Sequence, residues 1–357
     1  MTRRWAAFAA LLFPLASMAA AVVHDYPPAG ASDSRLTIYG NTDIALFEPV
    51  LRDFQREYPG IAVRYEELDA RPLYERHVRE AAAGEARADV LLSTAMDLQV
   101  KLVNDGYAMT HVSENSRALP AWARWRDEAF GFTFEPAVMV FNRQAMQGHP
   151  LPQSRGQLLD LLRVRPKLWR GRVGTYDISR SSVGYLLASQ DVRQSSEMGA
   201  LVETFADVGV HVGENSAALL DRLESGELAI GYNLLGSYAR SRIDAGAPLV
   251  IVYPQDHTLV VTRTVVLPKG APNAQNAHRF LEYLLSLRGQ EVLALRSGLP
   301  ALRHEFNGRY DRLGIDDMHV GLLRPIALGP GLLVYLDAQK RSRLLSAWRA
   351  ILAPPPR

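Results

Sequence analysis

The sequence predicts an α/β protein built as two units, and three observations carry that reading. Strand-like and helix-like segments alternate three times between residues 36 and 104, the pattern of a parallel sheet with helices on both faces. The chain is 357 residues long, enough for two domains that each bury a core. Residues 131–142 and 258–267 are long β-rich runs, which read as a strand leaving the first unit and another returning to it.

Residues 1–21 stand apart from the fold. Arg3 and Arg4 precede the apolar run 5–15, and the small residues Ser17, Ala19, Ala20 and Ala21 follow, the layout of a secretory signal peptide cleaved near 19–21. Export to a periplasm is the expectation. The absence of cysteine fits export without disulfides and excludes a lipidated cysteine at the cleavage site. Residues 24–34 read as a polar leader containing proline and glycine. The fold opens with a strand at 36–39, and the turn 40–43 runs into a helix in which Leu46, Phe47, Val50, Leu51, Phe54 and Tyr58 recur at helical spacing before Gly60. Ile61, Val63 and Tyr65 alternate as a strand. A helix at 72–83, a short buried strand at 89–92 and a helix at 96–104 follow. Ligands of parallel sheets gather beyond the carboxyl ends of the strands. That makes Asn41, Thr42, Asp43, Ser93 and Thr94 candidate contacts, each of which could instead only form the strand-to-helix turn.

The second unit reads as a helix at 158–162, a strand at 172–176, helices at 182–189, 198–208 and 214–226, a strand at 228–232 and a polar helix start at 233–238. A strand at 249–253 and, after the return run, helices at 276–286, 289–297 and 337–352 complete the chain. The stretch from Gly174 to Tyr185 carries the strongest chemistry. Asp177 or Ser179 can cap the helix, Ser181 and Ser182 add hydroxyls, and a helix start offers unpaired amides and partial positive charge, to which Arg180 adds a full one. A small anion fits there; so does an ordinary capped helix with a solvated arginine. Tyr176 and Tyr185 line a cleft or are packed, and Asn233 and Ser237 bind ligand or cap a helix. Arg263 on the return run faces the cleft or pairs with Glu135, the latter being preferred.

Several classes are disfavoured. A net charge of +2 gives no field that calls for nucleic acid. The nine histidines show no metal-ligand spacing, and there is no G-x-S-x-G elbow, phosphate loop with G-K-[ST], H-E-x-x-H or cysteine nucleophile. Neither an enzyme nor a resident cofactor or metal is expected. Asp256-His257 reads as polar surface.

The segments LTIYGNTD (36–43), FQREYPGIAV (54–63), ADVLLST (88–94), MVFN (139–142), LESGELAIGYN (223–233) and VVLPKGAPN (265–273) stand in an order and spacing that resembles the type II periplasmic solute-binding proteins of ABC importers, in particular the ferric-ion-binding-like branch. The resemblance implies an α/β fold of two lobes, each a mainly parallel sheet flanked by helices, joined by hinge strands and closing on a ligand. Lobe 1 would comprise 36–135 plus 265–357, and lobe 2 would comprise 136–264. Ferric members bind iron through an early histidine or glutamate and two adjacent tyrosines. Here Asp43 stands near the first position and Leu234-Leu235 at the pair, and leucines give a hard cation no oxygen ligand. The expected function is therefore capture of a small anionic organic solute (phosphorylated sugar, phosphoglycerate or carboxylate) by a monomer. Its partner would be an inner-membrane ABC permease with its ATPase. A ferric carrier, or presentation of the ligand to a sensor histidine kinase, are the alternatives.

Overall fold

A computed structural model describes residues 21–303 and 323–352 of the chain. All of the signal segment but Ala21 lies outside the described residues. Two sheets organise the molecule. The first contains three parallel strands, Ala62–Glu67, Arg35–Gly40 and Val90–Ser93, as the alternating segments predicted. It is nevertheless mixed, because Thr264–Val266 runs antiparallel to Val90–Ser93 and in turn pairs with Ala129–Gly131. Its central strands are buried on both faces, with Ile38 and Leu92 in one core cluster and Tyr39 and Leu91 in another. Phe47, Phe54 and Phe280 bring helices Ile44–Glu57 and Ala274–Leu285 onto the first of those faces.

The supposed leader is a correction: Val22–Tyr26 is an antiparallel edge strand on Ala62–Glu67. Its capture is a matter of side chains. Asp25 pairs with Arg64, and Tyr26 lies under the Arg52 guanidinium, 5.0 Å from ring centre to carbon.

The second sheet is also mixed. Glu135–Asn142 runs antiparallel to Ile230–Leu235 along residues 137–141 on one edge, and on the other edge to Thr258–Val261 at residues 135–136 and to Leu249–Val252 at residues 139–142. Ile230–Leu235 and Val173–Tyr176 are parallel, as are Val173–Tyr176 and His211–Gly213. Leu158, Phe205 and Trp348 pack helices against Phe141 and Ile230.

Both long β-rich runs divide where they pass between the sheets. Residues 129–131 belong to the first sheet and 135–142 to the second; 258–261 belong to the second and 264–266 to the first. The crossing points lie side by side. The Phe132 amide donates to the Arg263 carbonyl at 3.0 Å, and the Arg263 amide donates to Thr133 Oγ1 at 2.9 Å. Their approach is close enough that a Cβ on Gly131 would lie 2.5 Å from Thr262 Oγ1, so only glycine fits.

Residues 323–352 depart from their expected place in lobe 1. Leu323–Pro325 pairs with Thr258–Val261 of the second, and helix Ala338–Leu352 sets Trp348 into the second sheet's core. Between them Leu336 packs with Ala70, Ala95 and Leu98, which belong to the other half of the molecule. The physical reason is amphipathy: the apolar residues 326–336 fill the seam between halves, and the helix after them buries only one face.

Candidate functional site

A cleft of about 530 Å³ opens between the two halves. From the first sheet, the ends of the parallel strands supply Asn41, Asp43 and Thr94, and residues 67–72, a strand end running into a helix start, supply one wall. Asn41 and Thr94 hold each other: Asn41 Nδ2 donates to Thr94 Oγ1 at 2.8 Å, and the Thr94 amide returns a bond to Asn41 Oδ1 at 3.0 Å. This reciprocal pair locks the two strand ends together and fixes the polar floor.

From the second sheet, two helix starts face the cleft, Ser182–Gln194 and Ser216–Glu224. Each is capped from one residue before. Ser181 Oγ accepts from the Gly184 amide at 3.2 Å, and Asn215 Oδ1 accepts from the Ala218 amide at 2.9 Å. The amides at the first two positions of each helix, Ser182, Val183, Ser216 and Ala217, have no acceptor within their helix, and all four residues line the cleft. Helix Ala70–Ala82 begins on the opposite wall with Ala70 and Arg71.

The charges are mixed. Arg71, Arg180 and Arg263 line the space together with Asp43, Glu67, Asp69 and Glu214. Glu214 pairs with Arg180, and Glu67 accepts from the Ile44 amide at 3.0 Å. Burial pushes the Glu67 carboxyl above its usual range despite that bond. Tyr238 faces Asp43 and Arg263, and burial pushes its phenol up to about 12, so it stays a neutral donor.

The candidates from the sequence therefore divide. Asn41, Asp43, Thr94, Arg180, Ser181 and Ser182 come together around the cleft. Arg180, favoured there for charge, is two-thirds exposed and already paired with Glu214. Thr42, Ser93, Tyr176 and Asn233 do not line it. Thr42 is buried, exchanges bonds with Tyr65 and accepts from Arg263. Ser93 Oγ takes the Ala95 amide. Tyr176 is packed beneath the helix starts, its hydroxyl 2.5 Å from Ser216 Oγ.

Asn233 is a correction of structure as well as of place. It lies within strand Ile230–Leu235, at a register shift and with φ +61°, a left-handed conformation that asparagine tolerates. The helix begins only at Gly236. Its Nδ2 donates to Asp191 at 2.6 Å in a buried cluster that includes His257; of the Asp256-His257 pair expected at the surface, only Asp256 is exposed. Asp191 also receives Arg155 at 2.8 Å, Tyr232 at 2.8 Å and His257 at 3.0 Å. Burial alone would raise this carboxyl, but the bonds from His257, Asn233 and Tyr232 and the Arg155 charge hold it below its usual value. Tyr232 is thus committed to structure, and Tyr238 is left without an adjacent tyrosine.

The preferred Glu135–Arg263 pair is present, Arg263 Nε donating to Oε1 at 2.8 Å. Missed were the wall 67–72 and the second helix start at Ser216. The Asn215 cap offered the same signal as Ser181, three residues before the amide it accepts; residues 67–72 offered none.

The profile of a bacterial extracellular solute-binding protein family matches residues 36–297. A substrate-binding protein of an ABC transporter from Agrobacterium tumefaciens is 38% identical, superposes with a TM-score of 0.87 and is covered over 98% of its length by 93% of this chain. The periplasmic binding protein AfuA from Actinobacillus pleuropneumoniae, solved with fructose-6-phosphate, is 18% identical with a TM-score of 0.74, over 90% of this chain and 99% of that one. Two curated proteins of Haemophilus influenzae match over shorter stretches. Spermidine/putrescine-binding periplasmic protein 1 is 32% identical over 21% of each chain, and the other is 31% identical over 40% of this chain. The match spans about a third or less of the length of these two, 34% and 21%. Among the described residues no helix is long and apolar enough to cross a membrane.

Proposed function

Because the chain belongs to the bacterial extracellular solute-binding protein family, with the type II periplasmic-binding fold of ABC-transporter substrate-binding proteins, we propose that its cleft captures a small anionic organic solute and delivers it to an ABC permease. The observation that carries the anionic reading is the convergence of the Ser182 and Ser216 helix starts on one cleft that also holds Arg71, Arg180 and Arg263. The acids nearby weigh less than their number suggests. Glu214 is neutralised by Arg180, and Glu67 is bound to a backbone amide. The helix-start amides, in contrast, have spare donor capacity.

The remaining lining fits the rest of such a solute. Asn41, Thr94, Ser182 and Ser216 offer amide and hydroxyl groups for alcohols, and Leu68 and Leu235 give the carbon skeleton little apolar surface. A phosphorylated sugar, a phosphoglycerate or a hydroxylated carboxylate matches this mixture. The two crossing segments would act as the hinge on which the lobes close. The role is carriage without chemistry, in a periplasm reached by cleavage of residues 1–21.

Native mass spectrometry of the protein from a periplasmic extract tests the reading. A retained organic anion is expected. A retained ferric ion, or a retained polyamine, would overturn it.

A further inference from the structure

We infer that Arg263, at the hinge, is the residue that reads the anionic group of the solute, and that Arg180 is secondary. The inference rests on the anionic reading of the cleft and adds the group that does the recognising.

Arg263 is 1% exposed yet lines the cleft. Two of its three nitrogens are satisfied: Nε donates to Glu135 Oε1 at 2.8 Å and Nη1 to Thr42 Oγ1 at 2.8 Å. The guanidinium carbon sits 5.5 Å over the Tyr238 ring. Nη2 has no acceptor in hydrogen-bond geometry among the described residues, although the Tyr238 hydroxyl lies close enough to interact with the guanidinium. Buried donors are almost always paired, and a charged one left open carries a large desolvation cost. The Nε and Nη1 bonds fix the side chain, and an acceptor that enters the cleft would complete its bonding.

The chemistry of that acceptor follows. Burial works against the charged guanidinium, but the Glu135 carboxylate more than offsets it, so Arg263 remains a cation at any accessible pH. A carboxylate or a phosphate monoester supplies the oxygen that Nη2 lacks, as a charge-assisted bond in a site shielded from water. A cationic solute would meet repulsion there. Arg180, two-thirds exposed and paired with Glu214, has its attraction screened by solvent.

Position gives the bond a second consequence. The Arg263 amide donates to Thr133 Oγ1, and its carbonyl accepts from Phe132. Ser237, at the start of a second-sheet helix, donates to the same Glu135 carboxylate. An anion on Nη2 therefore attaches the solute to both crossing segments at once, where lobe closure must bend the chain.

The test is calorimetric titration of glycerate, glycerol 3-phosphate and 3-phosphoglycerate into the wild-type protein, Arg263→Lys and the double variant Glu135→Gln/Arg263→Gln. The double variant removes the buried pair as a unit and leaves no orphaned carboxylate. At least one probe should bind the wild type, both variants should weaken it by at least about tenfold, and the empty double variant should melt close to the wild type. The two single-anion probes separate recognition of carboxylate from recognition of phosphate. If the variants bind the best probe within about twofold of the wild type, Arg263 is purely structural and the anionic reading survives without it. If the wild type binds none of the three probes, the anionic reading itself falls, and this inference with it.

Discussion

Replacing Asp97 by asparagine should make the protein more stable at neutral pH, by an amount that can be worked from its surroundings. Asp97 lies in the first turn of helix Met96–Asn104, 2% exposed, and Oδ1 has no hydrogen-bond donor among the described residues. Burial raises its carboxyl from the ordinary 3.8 to about 6, and the Leu98 amide and the more distant charges of Arg341 and Arg71 recover only part of that cost. A carboxyl raised on folding holds its proton in the native state after the unfolded chain has released it. Stability therefore falls as pH climbs from about 4 to about 6, and the total loss is about 3 kcal/mol. Asparagine carries no charge at any pH, so Asp97→Asn escapes the loss. In urea unfolding at pH 4, 5, 6 and 7.5, the two proteins should be nearly equal at pH 4. The variant should then lead by a margin that grows to about 3 kcal/mol by pH 7.5. A difference that stays constant across the series, or a less stable variant at pH 7.5, would refute the argument. The position is of interest beyond stability, because Asp97 feels the charges of both Arg71, which lines the cleft, and Arg341 of the C-terminal helix.

Three further outcomes follow from the structure. Asp191→Asn should cost about 3–5 kcal/mol in the same unfolding measurement, because it leaves the buried Arg155 without its full counter-charge; a loss below about 1 kcal/mol would show that the cluster relaxes easily. The carboxyl of Asp191 is held low on folding, so its contribution should be present at neutral pH and vanish as the solution is acidified below about 4. Gly184→Ala places a Cβ 2.3 Å from Tyr176 Cβ, which should lower stability by about 1–3 kcal/mol and weaken solute binding by shifting the helix start; unchanged binding would detach that helix from the site. Ferric ion added to the protein should produce no visible phenolate-to-iron band, since Leu234 and Leu235 occupy the place of a tyrosine pair and Tyr232 is bound to Asp191 and Arg155; a coloured one-to-one complex would restore the iron reading.

Much of the fold was legible because it depends on short-range patterns. The spacing of Phe47, Val50, Leu51 and Phe54 and the alternation of Ile61, Val63 and Tyr65 reveal elements wherever burial is one-sided or periodic. The two long β-rich runs did mark the passages between the halves. What could not be read were partnerships between distant residues. Val22–Tyr26 has no strong strand pattern, and the side chains that hold it are distant in sequence, Arg64 on the neighbouring strand and Arg52 on helix Ile44–Glu57. Asn233 looked like a cap because asparagine suits both a helix start and a left-handed strand bulge, and the choice between them is made by Asp191, 42 residues away. The same limit applied to the cleft. Local chemistry singled out Ser181 and Ser182 correctly as cleft residues, yet it gave Arg180 more weight than Arg263, since burial and an unfilled nitrogen are properties of the folded chain.

The two extremities of the described chain are anchored to opposite halves of the molecule. Val22–Tyr26 is stitched to the edge of the first sheet, and helix Ala338–Leu352 rests on the second sheet's core through Trp348. Fluorescent labels at Val23 and Arg349, both exposed and neither lining the cleft, would ride on different bodies. Energy transfer between them would then follow the opening and shutting of the molecule directly. The chain is laid out as an optical calliper, and an unknown solute could be identified by screening compounds for the one that moves its jaws.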